Sequence, residues 1–141
     1  MAAMAASGEK ASYEESRDDL DPVLLPGRFV FVDEGALGRI DPRSVMATVR
    51  EPEGLSGVIP QDSADQLGID YDFIGAWIVL GMETDLGDLG ITVAISTRLA
   101  ELQISCNVIA GLRHDHILVP AERATEALEA IRGIDPSSRS T

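Results

Sequence analysis

The chain has 141 residues, 24 acidic and 11 basic, giving a formal charge of −13. That balance argues against nucleic acid, whose phosphates need Lys and Arg, and against anionic membrane surfaces. Hydrophobic residues make up 45% and aromatics only 4%, which predicts ordinary globular material with an aliphatic core.

The length suits one domain or two very small ones. Met1 to about Pro22 is small, polar and acidic, with no apolar period. It reads as a mobile acidic tail, taken to residue 25, either solvated or an interaction arm. The terminus lacks the basic start and apolar run of a signal peptide. No stretch approaches the length of a membrane span. Cys106 is the single cysteine and sits in an apolar strand, so a small core residue in a reducing cytoplasm is the default.

Arg28 to Val32 is the first strand, rich in β-branched and aromatic types. Asp33 to Pro42 reads as a loop. Ser44 to Glu51 alternates Val45, Ala47 and Val49 against polar neighbours, which suits a half-buried strand. Pro52-Glu53-Gly54 marks a turn, and Leu55 to Ile59 is a third strand stopped by Pro60. Gln61 to Gly68 has room for one short helical turn.

Ala76 to Glu83 is almost continuously apolar and predicts a central strand. Trp77, Val79 and Gly81 should face one way, and Ile78, Leu80 and Met82 the other. The loop Thr84-Asp85-Leu86-Gly87-Asp88-Leu89-Gly90 favours a turn and a helix start. Ile91, Ala94, Ile95, Leu99 and Leu102 then form one helical stripe. Ile104 to Gly111 is the next strand, with Cys106 and Val108 on one face and Asn107 and Ile109 on the other. His116 to Val119 returns antiparallel. Pro120 fits the first turn of a last helix with Ala124, Leu128 and Ile131 buried. Gly133 stops it, and residues 133–141 form a polar tail.

Three features carry candidate chemistry. Asp85 and Asp88 precede a helix start, where one carboxylate either holds a ligand ammonium or caps the helix. His114 and His116 flank Asp115 at a spacing that puts both on one side of a strand, facing a polar ligand or metal, or packing in a turn around Asp115. A structural zinc site wants four ligands and no second cluster exists, so no metal is expected. Asn107 is an amide in an apolar strand that needs a partner, from backbone or ligand. No phosphate-binding loop, dinucleotide fingerprint, HExxH or nucleophile elbow appears, so an enzyme is not expected. The remaining enzymatic option would rest on His114 or His116. Glu51 and Glu53 beside Arg50 read as a salt-bridged edge rather than an acid/base pair.

The order strand-loop-helix-strand-turn-strand-helix from Trp77 onward, with Leu86 to Gly90, Leu99-Ala100, Ile104 to Val108 and His114 to Pro120, resembles the ACT-domain superfamily. It looks closest to small bacterial ACT-like proteins. Arg50-Glu51 with Glu53-Gly54 suits that group too, so the resemblance spans about residues 26 to 132. It implies an α+β, ferredoxin-like fold of two ACT-like units with antiparallel sheets and helices on one face. The units would span 26–70, degenerate in its helices, and 71–132. It also implies a regulatory module that binds an amino acid or other small molecule, forms a homodimer, and acts through a partner enzyme. The ligand contacts implied are Thr84, Asp85, Leu86, Gly87, Asp88, Leu89, Gly90 and Asn107, and His114 and His116 join them as candidates. Asp85 and Asp88 depart from the neutral loop common in such proteins and favour an amino group over an acidic ligand. No cofactor is expected. The rival reading is an interaction module with no metabolite.

Overall fold

A computed structural model of the chain describes residues 20–135. The expected tails over 1–19 and 136–141 lie outside the described residues. Between them run seven strands in one sheet: β1 (Pro22–Leu24), β2 (Phe29–Val32), β3 (Ala47–Glu51), β4 (Gly54–Pro60), β5 (Ile74–Leu80), β6 (Asn107–Ala110) and β7 (Asp115–Pro120). The helices are α1 (Glu34–Leu37), α2 (Gln61–Gln66), α3 (Ile91–Glu101) and α4 (Ala124–Arg132).

The continuous apolar run predicted for the centre is the centre. The strand order is β3-β4-β2-β5-β7-β6, with β1 also on β5, and the pairings are antiparallel. β7 takes one edge of β5 over Gly75 to Val79. The other edge is shared, β2 pairing at Ile74 and Gly75 and β1 at Ile78 to Leu80. β1 corrects the tail reading for residues 20–25. Leu20 is 1% exposed, and Asp21 accepts through its carbonyl from Gly81 N–H at 2.7 Å. Three apolar residues beside two prolines gave too short a pattern to reveal a strand.

Strand alternation sorts the side chains onto two faces. On one face Ile78, Leu80, Ile117 and Val119 meet Ile95 and Leu99 of α3 and Ala127 and Ile131 of α4. Farther along that face Val30, Val32 and Ile59 pack with Leu37 of α1 and Ala64 of α2. Ile74 belongs to the second group and shares its side of β5 with Ile78, so the helices cover one face. The aliphatic core predicted from composition is this layer. The opposite face differs. Phe29, Val58, Trp77 and Leu118 are buried there with Phe73 packed against them. Phe29 meets Trp77 edge to face at 5.5 Å, and Phe31 meets Phe73 at 6.1 Å. All three phenylalanines and the tryptophan therefore lie on the side without helices.

Several local expectations need correction. The Asp33 to Pro42 loop contains α1, because the Asp33 Oδ1 accepts from Ala36 N–H at 3.0 Å and closes one turn. The strand expected from Ser44 to Glu51 starts at Ala47, since Pro42–Ser44 form a 3-10 turn capped by Asp41. It is an edge strand, and Val49 is 56% exposed rather than half-buried. Pro120 ends β7, and a 3-10 turn (Ala121–Arg123) separates it from the last helix. Ala127 and Ala130 are buried there with Ile131, while Ala124 and Leu128 are partly buried. Asp33→Ala should cost about 1 kcal/mol of stability, the usual worth of such a cap, read as a lower urea midpoint.

Candidate functional site

Two places in the fold repeat one arrangement: a strand ends, an aspartate and a glycine follow, and a helix begins. The first corner joins β2 to α1 through Asp33 and Gly35. The second joins β5 to α3 through Thr84 to Gly90.

At the first corner a cleft of about 690 Å³ opens between α1, the end of β2, β3, β4 and the segment after α2. Its walls include Phe31, Asp33, Arg39, Glu51, Asp70 and Tyr71. A second cleft of about 430 Å³ shares Asp33, Gly35, Glu51 and Ser56 with it and adds Glu53 and Gly54. Gly54 stands at φ +133°, and a Cβ there would meet the Glu34 Oε2 at 2.8 Å, so only glycine seats this wall without strain. Arg39 is the guanidinium among these carboxylates, and its Nη2 donates to Leu67 O at 2.8 Å. Tyr71 donates to Asp65 Oδ1 at 2.7 Å and accepts from Gln61 Nε2 at 2.9 Å. The Asp65 bond raises the Tyr71 phenol above its ordinary value, so it stays protonated. The corner thus offers carboxylates, one cation and two aromatic rings around one opening.

This corner was not among the residues named from the sequence. Its signal was present, since Phe31-Val32-Asp33-Glu34-Gly35 runs strand, aspartate, glycine just as the later loop does.

At the second corner the loop is held by a backbone bond to the β6–β7 turn and by one of its own carboxylates. Thr84 is buried, and its N–H donates to Arg113 O at 2.9 Å. The Asp88 Oδ2 accepts from Asp85 N–H at 2.9 Å, so this carboxylate closes a turn inside the loop. No side chain caps α3, which corrects that reading. Gly90 occupies the cap position at φ +91°. Gly87 lies within the turn, and Leu86 and Leu89 are 69% and 82% exposed.

The structure brings the two histidines to this corner but gives them different partners. His114 donates from Nδ1 to Leu80 O at 2.9 Å. His116 accepts on Nδ1 from Trp77 Nε1–H at 3.0 Å, with the rings edge to face at 5.6 Å. Asp115 begins β7 rather than centring a turn. Asn107 opens β6, opposite Leu118 and away from the Gly111 turn, and its Nδ2 donates to Leu118 O at 3.5 Å. The Thr84 loop, His114 and His116 therefore gather at one end of the sheet, and Asn107 stands farther along it. Burial raises the partly buried Cys106 thiol, which suits a packing residue and not a nucleophile.

Burial lowers the His116 pKa from its ordinary 6.5; His114 acts in the same sense and Asp115 opposes. The neutral ring is thus the form the fold prefers. As pH falls below 6.5 the unfolded chain takes the proton first, and stability is lost until the folded value is passed. Burial raises Asp115 and works in the opposite sense, but nearer its ordinary 3.8. The melting temperature should therefore fall between pH 7.5 and 5.5, and His116→Gln should flatten that fall.

A family profile described as ACT domain matches residues 18–76, from β1 into the first residues of β5. A Vibrio cholerae protein of unknown function, described as a possible transport protein, is 38% identical. The match covers 87% of this chain and 95% of that one, with a TM-score of 0.73. The ligand-free regulatory subunit of aspartate kinase from Thermus thermophilus is 11% identical, covers 81% and 95%, and has a TM-score of 0.52. A structure of aspartokinase alpha and beta subunits is 12% identical, covers 77% and 93%, and scores 0.54. At such identities these last two show likeness of fold alone. No curated protein matches the chain.

Proposed function

This chain belongs to the ACT-domain family, and we propose that it is a regulatory module for an amino acid, held at the first corner. The observation that carries this reading is the cleft of about 690 Å³ beside Asp33, because it joins opposite charges within one opening. A zwitterion needs both. Arg39 offers donors to a carboxylate, since Leu67 O takes only one of its five N–H groups. Glu51 and Asp70 suit the ammonium, and Phe31 and Tyr71 supply faces for an apolar side chain. The excess of carboxylates disfavours an acidic side chain on the ligand.

The chain reads as two units, 26–70 and 71–132. Each runs strand, helix, strand, strand, helix, and β2 and β5 lie side by side in the sheet. Thr84 to Gly90, with His114 and His116, is then the counterpart corner of the second unit. Asn107 lies at the end of the β6–β7 pair farthest from that corner. The ligand acts by population shift, binding one arrangement of the two units better than another and so biasing it. The output is a partner enzyme, and the exposed Leu86, Leu89, Val93 and Leu112 around the second corner are suited to contact one. An unpaired Cys106 thiol fits work in the reducing cytoplasm.

Titration calorimetry of the whole chain against the amino acids tests the placement. Glu51→Gln should abolish the heat of the amino acid that binds, and Asp85→Ala should leave it unchanged. The reverse pattern moves the ligand to the second corner. Heat from no amino acid at about millimolar concentration removes the proposal.

A further inference from the structure

The loop before α3 carries a tandem that the ligand leaves unused: Asp85-Leu86-Gly87 is followed at once by Asp88-Leu89-Gly90. Both leucines are exposed, by 69% and 82%. Val93 in the first turn of α3 is 67% exposed, and Leu112 in the β6–β7 turn is 76%. No other large hydrophobic side chain among the described residues is exposed to that degree. Single exposed apolar residues are ordinary, but four gathered at one end of a sheet form a patch. The three segments are tied together there. Thr84 N–H donates to Arg113 O, and Arg113 Nη1 pairs with Glu83 Oε1 at 3.6 Å. The loop is also closed twice between Asp85 and Asp88, by the Asp88 carboxylate on Asp85 N–H and by Asp88 N–H on Asp85 O at 3.0 Å. A loop held this way presents its leucines with little ordering left to do on binding.

Resting on the regulatory reading for the existence of an output, we propose that this patch docks a basic amphipathic helix of the partner enzyme, an apolar stripe flanked by Lys and Arg. Charge selects that occupant. Glu83, Asp85 and Asp88 are exposed around the leucines, and Arg113, the arginine among them, is already paired with Glu83. Three carboxylates against one arginine call for cations on whatever covers the patch. The same rim turns away a second copy, since a two-fold contact would bring these carboxylates against their equivalents, and it turns away anionic lipid. The backbone selects a helix. A loop, a helix start and a tight turn offer no strand edge to extend, so the occupant must arrive with its own backbone hydrogen bonds made. The patch is separate from the first-corner clefts, whose walls include none of its residues. A helix seated on the second unit and a ligand held by the first are then linked through the arrangement of the two units, which is the population the ligand shifts.

Fluorescence anisotropy of a labelled peptide of about 18 residues, with leucines on one helical stripe and lysines elsewhere, tests this on the full chain without any amino acid present. Salt at about 150 mM screens general attraction to the acidic surface. The wild type should bind the peptide with a dissociation constant below about 100 µM. A peptide of the same composition with its leucines spread around the helix should bind at least about tenfold more weakly. Leu86→Ser with Leu89→Ser should weaken the striped peptide at least about tenfold. Val93→Ser with Leu112→Ser should do the same, and carries the test if circular dichroism shows the first pair unfolded. Val49→Ser, exposed on the edge strand β3, should stay within about twofold of wild type. No binding at about 100 µM, equal binding of the two peptides, or undiminished binding by the folded leucine variants overturns the proposal. So does a wild type that sediments as a dimer and becomes monomeric in Leu86→Ser with Leu89→Ser, because a second copy then holds the patch. The calorimetry against amino acids reads the first corner alone, so failure of the ligand and failure of the docking are told apart.

Discussion

Trp77→Ala is expected to destabilise the fold by about 4 kcal/mol, within the usual 3–5 kcal/mol for removing a buried aromatic. Trp77 is 3% exposed and closes the helix-free layer with Phe29, Val58 and Leu118. Truncation leaves a void that strands held by ladder hydrogen bonds cannot fill. It also strips His116 Nδ1 of its donor, which adds a partly buried acceptor without a partner. Trp77→Phe separates the two contributions. It keeps most of the ring and loses the hydrogen bond, so it should cost about 1 kcal/mol. Urea unfolding of the three proteins measures both. Equal losses for the two variants would mean that the hydrogen bond, rather than the packing, holds this face.

Leu99→Ala is expected to cost about 3 kcal/mol, and 2–5 is the ordinary span for such a change. Leu99 is fully buried on α3 and packs into the layer of Ile78, Leu80 and Ile131. It also lies at the end of its helix, where its carbonyl accepts from Ile104 N–H at 2.9 Å as the chain turns toward β6. The melting temperature should fall on the order of 10 °C, with the denaturant slope unchanged if the fold stays two-state. Val93→Ala, on the exposed side of the same helix, should stay within about 0.5 kcal/mol of wild type. A large loss at Val93 would mean that another molecule covers that side.

The elements that were legible in the sequence are those whose burial wrote a period. β5 is apolar at nearly every position because helices cover one side and aromatic neighbours crowd the other. α3 shows Ile91, Ile95 and Leu99 on one stripe because it lies on that sheet. The ACT-like order of strands and helices followed from these, while the family profile matches the other half of the chain, residues 18–76. What the sequence hid was short or non-local. β1 is three residues long and is a strand because β5 offers it an edge. α1 is a single turn made by one aspartate cap, and its residues carry no apolar period. The gathering of Phe29, Phe31, Phe73 and Trp77 on one face depends on which strands become neighbours, which spacing along the chain does not state. The first corner was missed for a related reason. Its cleft is assembled from β2, α1, β3, β4 and the segment after α2, so no single stretch advertises it. The histidines show the opposite case, close in sequence and at one end of the sheet, yet bonded to different partners.

The central claim is that this ACT-domain chain senses an amino acid. A thermal-shift screen of the wild type against the amino acids tests it most directly. A ligand present at 100 times its dissociation constant adds about 2.7 kcal/mol to the folded state. For a chain of this size the account predicts a rise of several degrees with one amino acid or a chemically close few, basic or neutral rather than acidic. A melting temperature that no amino acid moves, or that aspartate and glutamate raise most, would contradict it.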